Sequence, residues 1–157
     1  MMRIAILGST GSIGASALDV IARHPEALQL VGIAARANVA GVQEQIRRHA
    51  PAMAVLLEEE PARALAQACP EVRVASGVGG LVELVTRPDV DVVLIGSAGS
   101  DALIPLFRAI EAGKRIALAS KELLVMAGEL VMEAVREAGV TLVPVDSEHS
   151  ALFQLLR

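Results

Sequence analysis

The sequence has no tryptophan, no tyrosine and only two phenylalanines among its 157 residues. Proteins that bind single-stranded nucleic acid use aromatic side chains as platforms on which the bases stack, so this class is disfavoured. The net charge is −4, and acids and bases are spread along the chain without a basic face. We therefore expect a small-molecule ligand and no nucleic-acid partner.

The chain is equally poor in cysteine and in long hydrophobic runs. Cys69 is the only cysteine, which excludes an intrachain disulfide, and we expect it to be a bystander thiol. The longest apolar runs are short stretches such as residues 92–95, whereas a transmembrane helix needs about 18 or more apolar residues. Arg3 is followed directly by a predicted strand and a glycine turn, unlike a signal peptide. We expect no membrane partner and a cytoplasmic location.

Short apolar runs alternate with segments of helical periodicity along the whole sequence. About six strands in such an order predict an α/β fold, a doubly wound, mostly parallel Rossmann-type sheet flanked by helices. Residues 1–150 are predicted to form this domain, and residues 151–157 to begin a second domain that the chain lacks. The predicted strands are 3–7, 28–34, 52–57, 90–95, 115–118 and 141–145, with 72–75 as a candidate for a further short strand. The predicted helices are 13–23, 39–49, 59–69, 78–86, 103–112, 122–138 and 148–156.

Clusters of small and polar residues follow five of the predicted strands. In a doubly wound sheet, ligands bind at the carboxyl ends of the strands, which share one edge of the sheet. The sequence therefore predicts a single site at that edge. The clusters are residues 8–14, 35–38, 96–100, 119–122 and 146–149.

The first cluster is a glycine-rich loop between the first strand and the first helix. Gly8, Gly11 and Gly14 form a variant of the dinucleotide-binding fingerprint. In that fingerprint the glycines allow a tight turn, close approach of the backbone to a pyrophosphate, and close packing of helix on strand. The alternative is a glycine-rich turn in which Ser12 merely caps the helix.

The loop after the second strand bears on which dinucleotide is bound. NAD enzymes usually place an acid there to hold the ribose 2′-hydroxyl, but this stretch contains Arg36 and Asn38 and no acid. Arg36 can pair with a 2′-phosphate, which favours NADPH, and Asn38 can bind the same group or cap the next helix. The alternative is that Arg36 is a solvated loop arginine.

Two further loops have residues that suit a ligand. Gly96–Gly99 would let a cofactor lie against the backbone, although a plain turn with Ser100 or Asp101 as helix N-cap fits the pattern as well. Lys121 stands at a helix start, where the helix dipole disfavours a cation, so it could bind a phosphate or a carbonyl. The alternative is a surface lysine paired with Glu122.

The cluster after the last predicted strand contains two carboxylates separated by one residue. Asp146 and Glu148 could converge on one Mg²⁺ or Mn²⁺ ion, since such ions prefer oxygen ligands. Alternatively, Asp146 or Ser147 is an N-cap and Glu148 supports the helix dipole. His149 is expected to be structural.

Together these segments resemble 1-deoxy-D-xylulose 5-phosphate reductoisomerase, specifically its N-terminal NADPH-binding domain. The resemblance covers the whole chain, and its most specific part is the run Pro-Val-Asp-Ser-Glu-His at residues 144–149. The other matching segments are Ile6–Gly14, Asn38–Val39, Leu118–Glu122 and the continuation to Gln154.

The resemblance implies an NADPH-dependent conversion of 1-deoxy-D-xylulose 5-phosphate to 2-C-methyl-D-erythritol 4-phosphate in non-mevalonate isoprenoid synthesis. It implies that Lys121 and Glu148 are catalytic, that Asp146 and Glu148 bind Mg²⁺ or Mn²⁺, and that Lys121, Ser147 and Glu148 touch the sugar-phosphate substrate. We expect a homodimer for the full-length protein. The residues implied to bind NADPH are Gly8, Thr10, Gly11, Ser12, Ile13, Gly14, Arg36, Ala37, Asn38, Ser120 and Glu122.

The chain departs from the family pattern in two ways. Family members often have Gly-Lys or Gly-Arg before the asparagine, where this chain has Arg36 and Ala37, so the basic residue is displaced by one position. The family's later residues, including a third carboxylate and the substrate-phosphate pocket, are absent, so we expect NADPH binding without full activity. The alternatives are a non-catalytic NADPH-binding module and another NADP-dependent enzyme, such as a semialdehyde or homoserine dehydrogenase.

Overall fold

The computed structural model describes residues 1–97 and 99–145, in which seven strands alternate with six α-helices. A short 3₁₀ helix, Ser100–Ala102, precedes the fifth α-helix. The strands are β1 (Met2–Leu7), β2 (Leu28–Ala35), β3 (Met53–Leu56), β4 (Arg73–Ser76), β5 (Val92–Ile95), β6 (Arg115–Leu118) and β7 (Leu142–Pro144). The helices are α1 (Ser12–Arg23), α2 (Val39–His49), α3 (Glu59–Ala68), α4 (Gly77–Thr86), α5 (Leu103–Glu111) and α6 (Lys121–Ala138).

All seven strands pair in parallel in one sheet of order β4-β3-β2-β1-β5-β6-β7. The first strand lies in the middle, between β2 and β5, and its last residue Leu7 is in register with Ala34 and Ile95. Because every strand points the same way, the loops that follow β1, β2 and β5 emerge side by side at one edge.

The strands are covered on both faces, since alternate residues of a strand point to opposite sides of the sheet. In β1, Ala5 and Leu7 belong to one core, which α4, α5 and α6 complete, whereas Ile6 belongs to a second core completed by α1, α2 and α3. Helices on both faces are what short, almost wholly apolar strands require. The predicted α/β, doubly wound, parallel Rossmann-type class is thereby confirmed.

Polar contacts hold neighbouring strands together at the amino ends of the strands, opposite the loops that follow β1, β2 and β5. Arg3 precedes Asp91 by 88 residues, yet its side-chain Nη2 and a carboxylate oxygen of Asp91 are 2.7 Å apart. The Arg3 guanidinium, by hydrogen bonding, holds the pKa of the Asp91 carboxyl below its usual range. The buried Lys114 Nζ donates to the carbonyls of Arg87 and Val90, each at 2.7 Å. These contacts fasten β1, β5 and β6 at their beginnings.

The predicted elements agree with the structure, mostly to within one or two residues. The described residues form seven strands rather than about six, because the short β4 is a full member of the sheet. β5 begins at Val92, not at Val90, and pairs on both sides, as its lack of polar alternation predicts. The predicted helix 148–156 lies outside the described residues. Within residues 1–97 and 99–145, no helix has the length and apolarity needed to cross a membrane.

Candidate functional site: a glycine-lined groove at the carboxyl edge

The glycine-rich loop turns sharply between β1 and α1. Gly8 has φ +88°, a left-handed conformation that residues with a side chain rarely adopt. The N–H groups of Gly8 and Ser9 both donate to the Ala34 carbonyl of β2, at 2.8 and 2.9 Å. The turn is therefore fixed to the neighbouring strand, and it leads straight into α1.

Two glycines of the loop serve the packing of the protein itself. A Cβ on Gly14 would lie 2.3 Å from the Gly8 oxygen and 2.5 Å from the Ser9 Cα, so helix and loop touch through bare backbone. A Cβ on Gly8 would lie 2.6 Å from the Ser97 nitrogen. The loops after β1 and β5 are thus in backbone contact with each other.

Gly11 differs from the other two glycines. It is exposed, has φ −80°, and a Cβ built on it would only reach ordinary contact with the Gly8 oxygen at 3.4 Å. Neither packing nor backbone conformation therefore requires glycine at this position. A ligand that approaches the backbone closely would require it, as the dinucleotide fingerprint predicts.

The N-terminus of α1 suits an anion. Gly11 is its N-cap, so no side chain caps the helix, and its first turn contains no acidic residue. The first N–H groups of a helix have no partner inside the helix, and the helix dipole adds positive potential there. The alternative in which Ser12 caps the helix is wrong, because Ser12 is already its first residue.

A buried side-chain pair fastens the glycine loop to α2. Ser9 is fully buried, and its Oγ donates to Gln45 Oε1 at 2.7 Å. In return, Gln45 Nε2 donates to the Ser9 carbonyl at 2.9 Å. Each residue satisfies the other, so the loop is held on one side by β2 and on the other by α2.

A pocket of about 370 Å³ opens at this edge, between the loops after β1, β2 and β5. Leu57, Leu81 and Ala102 form an apolar end that could cover a flat ring. The residues lining the pocket are Leu7, Gly8, Thr10, Gly11, Ser12, Ala34, Ala35, Arg36, Leu57, Leu81, Gly96, Ser97, Asp101 and Ala102.

A wider depression, of about 710 Å³, lies at the opposite edge and is lined by residues such as Met2, Asp91 and Arg115. Among its lining residues there is neither a glycine-rich loop nor a helix N-terminus. The smaller pocket has both features, which a dinucleotide-binding site requires, and it is the candidate site.

Arg36 lies at the mouth of the pocket and is not simply solvated. Its Nη2 donates to Asp101 Oδ2 at 2.6 Å, which joins the loop after β2 to the 3₁₀ helix after β5. Since β1 lies between those two strands, the ion pair spans the end of β1. The predicted alternative in which Ser100 or Asp101 caps a helix is wrong, because Gly99 precedes the 3₁₀ helix and no side chain caps it.

The other predicted cofactor residues are more dispersed. Asn38 caps α2, with its Oδ1 accepting from Gly41 N–H at 2.9 Å, and Ile13 packs close to Gly96. After β6, the buried Ser120 donates from Oγ to Glu122 Oε2 at 3.1 Å, and Lys121 begins α6. None of Ile13, Gly14, Ala37, Asn38, Ser120, Lys121 and Glu122 is among the lining residues of the pocket.

The predicted metal and substrate residues lie outside the described residues. These are Asp146, Ser147, Glu148 and His149. Within residues 1–97 and 99–145, no group of three or more histidine, cysteine, aspartate or glutamate side chains is placed to hold a metal ion. The predictions for Asp146 and Glu148 therefore stay predictions.

The sequence patterns do not predict the two polar contacts that hold the loops of this site, which involve Gln45 and Asp101. Gln45 lies on the buried face of α2 beside Val42 and Ile46, and an amide in such an apolar stripe is a signal that could have been noticed. For Asp101, the sequence pattern indicates only a possible helix cap. No local pattern connects it with Arg36, which is 65 positions away, because the contact depends on the strand order.

A sequence model of the family described as 1-deoxy-D-xylulose 5-phosphate reductoisomerase matches residues 4–128. The chain belongs to this family. The resemblance that the motifs showed is thereby confirmed. Among relatives bearing that name, the protein of Nitrosococcus oceani is 44% identical over 99% of this chain, and that of Anaeromyxobacter dehalogenans is 48% identical over 99%. The chain spans 41% and 40% of these relatives.

Solved structures of the reductoisomerase family have the same fold. The reductoisomerase of Zymomonas mobilis in complex with NADPH is 39% identical, with a TM-score of 0.92 over 98% of this chain and 41% of its own. A reductoisomerase in complex with magnesium is 34% identical, with a TM-score of 0.94 over 98% of this chain and 39% of its own. A homoserine dehydrogenase of Thiobacillus denitrificans, at 22% identity and a TM-score of 0.56, shares the fold alone.

The different surroundings of Gly11 and Gly14 lead to a prediction. Gly14→Ala should lower the free energy of unfolding by about 1–3 kcal/mol, because its Cβ would overlap backbone. Gly11→Val should lower the free energy of unfolding by no more than about 1 kcal/mol, because valine is a poorer N-cap than glycine. It should nevertheless abolish dinucleotide binding, because the side chain would occupy the space where the pyrophosphate approaches the backbone. Urea unfolding and a cofactor titration measure the two effects. Wild-type cofactor affinity in Gly11→Val would contradict the assignment of Gly11.

Proposed function

We propose that this chain is the NADPH-binding part of an enzyme that converts 1-deoxy-D-xylulose 5-phosphate to 2-C-methyl-D-erythritol 4-phosphate. The observation that carries the proposal is the groove at the start of α1, in a chain whose fold is that of a reductoisomerase in complex with NADPH. Since the chain spans about 40% of its relatives, we assign to it cofactor binding, and the complete reaction to the whole protein.

The groove fits the pyrophosphate of a dinucleotide. The exposed Gly11 gives room for an anion to lie against the backbone, and α1 offers unpaired N–H groups with no acid nearby in its first turn. The turn before α1 is held by hydrogen bonds that its N–H groups donate to the Ala34 carbonyl of β2, and by the Ser9–Gln45 pair. Little rearrangement is needed on binding, which favours affinity.

The charge at the far end of the groove suits the 2′-phosphate of NADPH. Arg36 is the only cationic residue among the described residues that line the pocket. A guanidinium can form charge-assisted hydrogen bonds to a phosphate, and these are stronger than neutral ones. Although Arg36 stands one position before the family's usual basic residue, it lies at the pocket mouth. NADPH, rather than NADH, is therefore the proposed cofactor.

The residues after β6 and β7 are proposed to bind the metal ion and the substrate and to complete the cofactor site. Asp146 and Glu148 would supply oxygen ligands to Mg²⁺ or Mn²⁺, as magnesium complexes of the family suggest. Lys121, Ser147 and Glu148 would contact the sugar phosphate, and Ser120 and Glu122 the cofactor. A bound divalent ion would supply Lewis-acid polarisation of a carbonyl oxygen.

The central prediction is that the purified chain binds NADPH without metal or substrate. The affinity comes from backbone N–H groups and Arg36, neither of which needs a metal ion. Cofactor fluorescence should shift on titration, and the absence of tryptophan and tyrosine leaves the signal free of protein emission. A titration to millimolar concentration without a saturable shift would refute the dinucleotide proposal.

A second prediction is that the chain alone does not turn over substrate. It spans about 40% of its relatives, and Asp146 and Glu148 give only two of the convergent groups that a catalytic metal site needs. We expect weak Mn²⁺ binding and no product when NADPH, Mn²⁺ and 1-deoxy-D-xylulose 5-phosphate are supplied together. Oxidation of NADPH coupled to product formation would show that these 157 residues suffice.

A third prediction concerns Arg36. Arg36→Ala should weaken NADPH binding by about tenfold, the lower end for a charge-assisted hydrogen bond, and leave NADH nearly unchanged. The lower end of the range applies because the Arg36 side chain is 60% exposed, and because it already has an ion-pair partner, Asp101, which the phosphate would replace. Arg73→Ala is the control, since Arg73 is 59% exposed, ion-paired and distant from the pocket. Equal weakening of both cofactors would mean that Arg36 holds the loop instead.

A further inference from the structure

We infer that Asp101 sets how strongly the groove prefers NADPH over NADH, by competing with the 2′-phosphate for Arg36. The inference rests on the proposed function, because it concerns the affinity of the same groove for two cofactors. Asp101 would then be a specificity-determining residue. It follows β5, whereas the loop that usually contacts the ribose follows β2, on the other side of β1.

The geometry places the two groups in direct competition. Arg36 Nη2 and Asp101 Oδ2 are 2.6 Å apart, and both residues line the pocket. Their side chains are 60% and 39% exposed, so a ligand can reach the pair from solvent. A phosphate that accepts a hydrogen bond from the Arg36 guanidinium must either displace the Asp101 carboxylate or share the guanidinium with it.

The balance of charge gives the competition its effect. Among the described residues that line the pocket, Arg36 is the only cation and Asp101 the only anion. While the pair is intact, these walls have no net charge, and the carboxylate repels a second anion at close range. NADPH binding therefore includes the loss or the weakening of an ion pair, which opposes the gain from the contact between Arg36 and the phosphate.

NADH does not encounter the same opposition. Its ribose presents hydroxyl groups, which carry no charge and can donate to a carboxylate. In many NAD enzymes an acid at the end of the second strand has this role. Here the loop after β2 has no such acid, and Asp101 supplies the only carboxylate among the described residues that line the pocket. The Arg36–Asp101 pair thus reduces the difference between the affinities of the groove for NADPH and for NADH.

The test compares Asp101→Asn with the wild-type chain by fluorescence titration of NADPH and NADH. Asparagine keeps the size of the side chain and removes its charge. We expect NADPH to bind about two- to fivefold more tightly, the worth of an exposed ion pair expressed as affinity, and NADH to bind as before or more weakly. Tightening of NADPH should shrink at high salt, because the unpaired Arg36 charge is then screened.

Two further variants make the result specific. Glu83→Gln is the matched control, since the Arg73–Glu83 pair is exposed to nearly the same extent, 59% and 41%, and neither residue lines the pocket. It should leave both affinities unchanged. In an Arg36→Ala background, Asp101→Asn can favour NADPH only by removing the direct repulsion between the carboxylate and the phosphate, so its effect should be smaller than in the wild-type chain.

Each outcome decides the question. An unchanged NADPH-to-NADH affinity ratio in Asp101→Asn would overturn the inference. So would a loss of both cofactors, because Asp101 would then be holding the loop. An effect of the same size without Arg36 would show that the carboxylate acts on the phosphate alone and that no competition exists. If the wild-type chain binds neither cofactor, the proposed function itself fails, and the inference fails with it.

Discussion

The position of β1 between β2 and β5 is the constraint on which the site depends. Leu7 is paired in register with Ala34 on one side and Ile95 on the other, so the chain leaves three neighbouring strands at the same height. Three loops that are distant in sequence then meet within one pocket. Shifting one pairing by a residue would turn its side chains to the opposite face and move a loop away from its neighbours.

Contacts without side chains maintain this meeting of loops. Gly8 lies against the backbone of Ser97, and Gly14 lies against the backbone of Gly8 and Ser9. Both contacts are so close that a Cβ atom on either glycine would overlap the neighbouring backbone. On the α2 side, Ser9 and Gln45 fasten the loop through two hydrogen bonds. The backbone of the loop is therefore held by these backbone contacts and by α2, while its surface at Gly11 is exposed to solvent.

Local signals in the sequence were enough for the elements and for the class of fold. Apolar runs and helical spacing depend on neighbours within a few residues, and the strands and helices of the structure confirm them. The glycine loop could be predicted for the same reason. The ion pair of Arg36 with Asp101 could not, because it joins residues 65 positions apart and exists only through the strand order. The metal residues Asp146 and Glu148 remain predictions.

The contact between Arg3 and Asp91 has a consequence for the order in which the protein can form. The two residues are separated by 88 positions, and they fasten the beginning of β1 to the beginning of β5. On a ribosome that adds about 5–20 residues per second, β1 is made roughly 4–18 s before its second neighbour exists. Until then one edge of β1 has no strand to pair with, and the nascent chain needs that edge shielded from other chains.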